Sequence, residues 1–424
     1  MGFLRSLLLG IRRPDRRRII LFLAVLGPGI ITANVDNDAG GIATYAIAGA
    51  QEGYGLLWLL LVITFTLAVV QEMSARMGVV TGKGLADLIR ERFGVRLTLL
   101  CMALLVITNL TTTVAEFAGV AASMELFGVS RLISVPLAAA LVWFLVVKGN
   151  YKKVERVFLV FCLLYFAYVI SGFLAHPVWR DVMASMVRPS FKLDPSYINL
   201  SIAFIGTTIS PWMQFFLQSA VVDKGVKAED YSLARGEVFL GAFLTNFVAF
   251  FIVVATAATL FTHGIRIDSA ADAALALRPL AGKYAYALFA LGLLNASLMA
   301  ASILPLSTAY AVSEAFGWES GMDKDRDEAP QFYGLYTSFI VIGGGVILIP
   351  RLPLMMVMLV SQTVSGMLLP VILIFMLRII NDKGIMGERV NGPVFNVLAW
   401  GTAILLIVLT ALLLVTTVFP HLLG

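Results

Sequence analysis

The chain has 424 residues, 59% of them hydrophobic and only 13% charged, with a formal net charge of +5. That is far too apolar for a soluble globular protein of this length, so a soluble enzyme is excluded and the bilayer is the expected solvent. The excess positive charge lies in short gaps between apolar stretches, where it reads as membrane topology and not as a nucleic-acid surface.

A spanning helix needs roughly 20 apolar residues. In chain order, residues 1–18 form a polar N-terminal segment with Arg12, Arg13, Arg16, Arg17 and Arg18. The apolar run that follows is too long for a cleavable leader and lacks a small-residue cleavage site, so it reads as the first span, 19–49. This span holds two carboxylates near its middle, in the run VDNDAGG from Val35 to Gly41. Charge inside a membrane is costly, and Gly40 and Gly41 lower helix propensity directly after it. Asp36 and Asp38 therefore mark a break in the helix. Asp38 is either a carboxylate satisfied by backbone amides or a cation ligand, and a carboxylate among carbonyl and hydroxyl oxygens suits a hard cation.

Spans two to five are expected at 54–77, 97–127, 132–148 and 155–176. Glu116 lies inside the third and is a candidate proton or ion relay, or a structural carboxylate paired across helices. Cys101 and Cys162 lie in the third and fifth without metal-ligand spacing and read as core residues. Span six, 195–222, contains IGTTISPWMQ from Ile205 to Gln214. Pro211 removes a backbone donor at mid-membrane and disrupts the preceding turn. The carbonyls and amides freed there are tolerable at membrane depth only if they line a cavity or bind a ligand. Thr207 and Ser210 are candidates for that ligand, or hydroxyls that bond back to their own helix.

Spans seven to eleven follow at 236–262, 283–316, 332–350, 353–380 and 394–419. Gln362 stands in an apolar stretch of the tenth, as a helix–helix contact or a ligand. Arginines and lysines cluster before span one and after spans two, four, six and ten, which predicts a cytoplasmic N-terminus in an inner membrane. Broken first and sixth helices in corresponding positions predict two inverted repeats, 19–176 and 195–380, with the site near the midplane and span eleven outside them. The expected fold is thus an all-α integral membrane protein of about eleven transmembrane helices, a LeuT-like 5+5 inverted repeat.

Several motifs then resemble the Nramp family of divalent metal transporters. They are GPGI (Gly27 to Ile30), GAQEGYGLLW (Gly49 to Trp58), QEMSARMGVVTGKGLAD (Gln71 to Asp87), AEFAG (Ala115 to Gly119), LQSA (Leu217 to Ala220), YAVSEAFGW (Tyr310 to Trp318) and SQTVS (Ser361 to Ser365). The resemblance implies Asp38 as principal metal ligand, with the Thr207 carbonyl, Ser210, Gln362 and Gly41 at the family's ligand positions; Asp36 adds a second negative charge nearby, as a ligand, a source of cavity electrostatics or a vestibule residue. Where the family has asparagine and methionine ligands, this chain has Gly41 and Ser210. An oxygen-only set loses the bias of a thioether toward softer metals, and the lost asparagine side chain leaves room for an ion that keeps its waters. The chain is similar in this respect to the Nramp-related magnesium transporters, and the expected cargo is Mg2+ and Mn2+.

Of the family's titratable set, Trp212, Gln218 and Thr113 stand where histidines and an aspartate do, and Glu116 alone remains. The expectation is import without proton coupling. Membrane potential supplies about 2.3 kcal/mol per charge per 100 mV, on the order of two-thousandfold accumulation for a divalent ion. The rival expectations are a proton-coupled Mn2+ or Fe2+ importer with Glu116 as relay, and a sodium-coupled amino-acid transporter, which two carboxylates beside the site would disfavour.

Overall fold

A computed structural model describes residues 37–148, 162–227, 229–322 and 324–418 of the chain. The helices that matter here are α1 (Ala39–Glu52), α2 (Leu57–Thr81), α3 (Leu85–Glu125), α4 (Arg131–Val147), α5 (Phe166–Leu174), α6 (Trp179–Val187), α7 (Pro195–Thr208), α8 (Pro211–Asp223), α9 (Tyr231–Thr259), α10 (Ala285–Phe316), α11 (Pro330–Ile347), α12 (Leu354–Ile380) and α13 (Pro393–Val418). Among the described residues a helix lies on each of the eleven expected spans. Seven helical stretches are long and apolar enough to cross a bilayer, and Arg131–Val147 and Leu163–Leu174 are shorter apolar helices.

Helix ends follow local chemistry. Asp194 caps α7 by accepting the Tyr197 N–H at 3.1 Å, and Pro195 fills the first helical position, where a missing N–H is harmless. Pro211 then ends α7 from the far side: it disfavours helical angles at Ser210, which sits at φ −70°, ψ 138° and starts α8 afresh. The span-six break is where the proline predicts it. Span three differs from expectation: the helix begins at Leu85, twelve residues before the expected start of the span at residue 97, and is kinked at Gly94, whose φ of 76° a residue with a side chain adopts only with strain.

Packing is densest where α3 meets α10 and α12; all three contact α1, and α12 also packs against α7. The closest approach is between α7 and α12. A Cβ on Gly206 would overlap the Gln362 carbonyl and the Gly366 backbone, and one on Gly366 would overlap the Ile202 carbonyl. Two helix backbones meet there because neither carries a side chain, the means by which membrane helices gain van der Waals contact when lipid gives no hydrophobic drive. The outer faces carry exposed apolar side chains, among them Leu132, Leu137, Val341 and Val397, as a lipid-facing surface should.

At one end the loops are tied together. Arg76 of α2 pairs with Glu72 at 3.0 Å and donates to the carbonyls of Arg389 and Val390 and to Asn391. Glu72 also accepts from the Tyr231 hydroxyl. Glu72, an acidic residue inside an expected span, is therefore compensated locally. At the other end Lys192 donates to Glu52 at 2.6 Å, and that carboxylate raises the ammonium pKa above its usual range. The pair is exposed and holds the hairpin after α1 only weakly.

Candidate metal site

The site is built where α1 begins. Asp38 is the N-cap of α1, and its Oδ1 accepts the Gly41 N–H at 2.6 Å. The next free amide, Ala39 N–H, donates to Glu116 Oε2 at 3.2 Å, across from α3. Both carboxylates thus occupy the positive end of the same helix, where unpaired N–H groups and the macrodipole favour anions. Both side chains are buried at the same helix end. Two ionised carboxylates placed so in a low-dielectric site repel unless a positive charge joins them.

Gln362 of α12 comes to the same first turn: a Cβ on Gly40 would overlap its side-chain amide. α7 is joined to α1 by a hydrogen bond of 2.8 Å between Tyr45 Oη and Thr208 Oγ1, and by the edge of one ring on the other in Tyr45 and Phe204. The break after α7 carries Thr207 and Ser210. Ser210 Oγ donates to the carbonyls of Gly206 (2.9 Å) and Thr207 (3.3 Å), so its hydroxyl closes the last turn of α7 and its lone pairs stay free. Several buried polar atoms around the two breaks have no partner among the described residues: Glu116 Oε1, Thr207 Oγ1, Asn37 Oδ1 and both terminal atoms of the Gln362 amide. Buried polar atoms left in this way in one neighbourhood call for a ligand or water.

Of the residues singled out in the sequence, Asp38, Glu116 and Gln362 meet at the first turn of α1, with Thr207 and Ser210 on the adjoining break. Gly41 contributes its N–H to the Asp38 cap. Asp36 lies outside the described residues. Trp212 is fully buried, its indole N–H without a partner among the described residues, and its ring is 6.1 Å from that of Phe216. Cys101 is a buried free thiol, and the side chain of Cys162 lies outside the described residues. Among the described residues no three His, Cys, Asp or Glu side chains come together as a metal cluster. A cation here would meet two carboxylates and neutral oxygens, a set matched to hard ions. Sequence reasoning missed the meeting of Asp38 with Glu116, residues 78 positions apart with no local pattern to link them. It also missed Gly40, whose lack of a side chain admits Gln362.

Comparison with known proteins bears on this geometry. A family model described as Natural resistance-associated macrophage protein-like (Nramp) matches residues 29–416. The chain is 29% identical over 414 residues to a divalent metal cation transporter MntH of Erwinia tasmaniensis, covering 96% of this chain and 97% of that one. It is 28% identical over 409 residues to the protein of the same name in Bacillus subtilis, covering 93% and 92%. Among solved structures it resembles a manganese transporter of Eremococcus coleocola, with a TM-score of 0.75 at 19% identity over 96% of this chain and 89% of that one. It also resembles MHP1, a nucleobase-cation-symport-1 family transporter, with a TM-score of 0.56 at 15% identity over 93% of each chain. At such identities the structural likeness shows the fold: all-helical, multi-pass and LeuT-like.

Proposed function

Because the chain belongs to the Nramp family, whose model spans all but its ends, we propose that it moves divalent metal cations across a cytoplasmic membrane by alternating access, with Asp38 as principal ligand. The observation that carries this reading is the pairing of Asp38 with Glu116 at the head of α1, beside the unpartnered oxygens of Thr207 and Gln362. Two adjacent buried carboxylates supply the charge for a divalent ion, and neutral oxygens complete a hard-cation shell. The relatives named as divalent metal cation transporters, and the solved manganese transporter, agree with that substrate class.

The finer reading is a carrier of Mg2+ and Mn2+ driven by voltage. Ser210 offers oxygen in place of sulfur, and among the described residues the site holds no histidine. Gly41 adds no side chain, which suits an ion that retains water, and Asp36 adds negative charge by sequence proximity. Residues 19–176 and 195–380 act as the two halves that rock about the breaks, with 394–419 outside them and the N-terminus in the cytoplasm. In proteoliposomes, millimolar Mg2+ is expected to compete with Mn2+ uptake while the luminal pH stays constant. Uptake of Mn2+ untouched by Mg2+ would sink the relaxed selectivity, and acidification of the lumen would sink the uncoupled mechanism. Ser210→Met is expected to shift preference toward Mn2+ over Mg2+ on the order of tenfold, the equivalent of about 1.4 kcal/mol from one softer contact. An unchanged ratio in competition uptake would remove Ser210 from the ligand set.

One observation favours a second reading. Glu116 holds the Ala39 N–H at the α1 terminus, next to Asp38, where a relay would have to stand, so a proton-coupled Mn2+ or Fe2+ importer is the alternative. The luminal pH measurement separates the two.

A further inference from the structure

At the end of the bundle where the loops following α2, α8 and α12 gather, a cleft of about 430 Å3 opens between α2, the first turns of α9 and the base of α13. Arg76, Arg235 and Arg389 line it, with Glu72, Tyr231 and Phe395. Arg76 is balanced by Glu72. Arg235 and Arg389 are exposed, and among the described residues neither forms an ion pair with a carboxylate. Each guanidinium instead lies over a ring: Arg235 over Phe395 (5.9 Å) and Phe239 (5.5 Å), Arg389 over Tyr231 (5.8 Å). Stacking holds the plane of a guanidinium while leaving its edge donors free, the arrangement that grips phosphate through paired N–H bonds.

The cleft therefore carries two positive charges that are unpaired among the described residues and are held against aromatic rings. Its outer wall is α13, whose apolar face is open: Val394, in the cleft itself, is 65% exposed, Val397 70%, and Ile404, Ile407 and Val408 continue the face. A soluble phosphate would use the arginines alone. A lipid uses both the arginines and the apolar wall, and basic pockets at the ends of membrane helices are suited to anionic headgroups.

We propose that this cleft binds the phosphate-bearing headgroup of an anionic phospholipid, whose acyl chains lie along the exposed face of α13. The test is native mass spectrometry of the full-length chain, titrated in detergent with phosphatidylglycerol, phosphatidylcholine or inorganic phosphate. Phosphatidylglycerol is expected to bind in preference to phosphatidylcholine. Arg235→Gln with Arg389→Gln is expected to weaken phosphatidylglycerol about thirtyfold and leave phosphatidylcholine unchanged, since each basic residue near an anionic headgroup contributes about fivefold. Arg235→Lys with Arg389→Lys keeps the charge but loses the paired N–H fork, and is expected to bind phosphatidylglycerol between the wild type and the glutamine variant. Should the double glutamine variant misfold, the single Arg235→Gln, on an exposed position of α9, is expected to lose about fivefold. Equal binding of the two lipids, an unaffected glutamine variant, or full displacement of phosphatidylglycerol by millimolar inorganic phosphate overturns the proposal, the last by making the ligand a soluble anion.

Discussion

Replacing Asp38 with alanine is expected to reduce Mn2+ uptake on the order of a hundredfold or more, with little change in the amount of folded protein. The substitution has two separable effects. It removes the cap on Gly41 N–H, which costs about 1 kcal/mol in a helix already held on every side by buried contacts. It also removes one of two adjacent buried carboxylates, and a divalent ion in a low-dielectric site depends on that charge far more than α1 depends on its cap. Asp38→Asn tells these apart, because asparagine caps a helix about as well as aspartate and carries no charge. On the proposed reading it is as inactive as alanine. Uptake by Asp38→Asn at the wild-type rate, alongside a lower rate for alanine, would reduce Asp38 to a cap and move the ligand elsewhere. Uptake into proteoliposomes, with elution volume and melting temperature as controls, supplies both readouts.

Replacing Gly366 with valine is expected to have the opposite profile: a loss of folded protein that no metal restores. A Cβ at this position would overlap the backbone carbonyl of Ile202, and a backbone atom inside a helix has no rotamer to retreat into. Overpacking costs about 1–3 kcal/mol where side chains can yield, and more where a helix must shift. Gly206 faces the same junction from α7 and is expected to behave alike. Gly40→Ala is the informative contrast. Its new methyl would meet the side-chain amide of Gln362, which can swing aside, so stability is retained while a proposed ligand is displaced. A Gly366→Val protein with the wild-type melting temperature would show that α7 and α12 do not pack as described.

Much of the architecture was legible because membrane solvent leaves few choices. Apolar length gave the spans, and Pro211 gave the break between α7 and α8 to within a residue. What escaped was set by contacts between distant segments. The extension of α3 to Leu85 depends on a kink at Gly94 in a stretch whose charges suggest a loop. Asp38 and Gln362 stood out as polar residues in apolar surroundings, but nothing local indicates that Gly40 clears the way between them. Glu72 and Glu116 both fall inside expected spans, Glu72 nearer an end. Packing separates them: Glu72 has Arg76 and Tyr231 for company, whereas Glu116 has Asp38 and the head of a helix.

That shared helix head has a consequence for turnover. Asp38 Oδ1 and Glu116 Oε2 already accept from Gly41 and Ala39, so a metal ion that draws on these two oxygens as well as the unpartnered Glu116 Oε1 would compete for them with the backbone of α1. Capture then becomes an exchange, and its strength is the difference between two competitors for the same lone pairs. The helix terminus acts as a resident counter-ligand that tempers affinity, and it stands ready to reclaim the oxygens when the ion leaves. A carrier that must release its cargo on every cycle gains from such a rival, and the first turn of α1 is where occupancy would be felt.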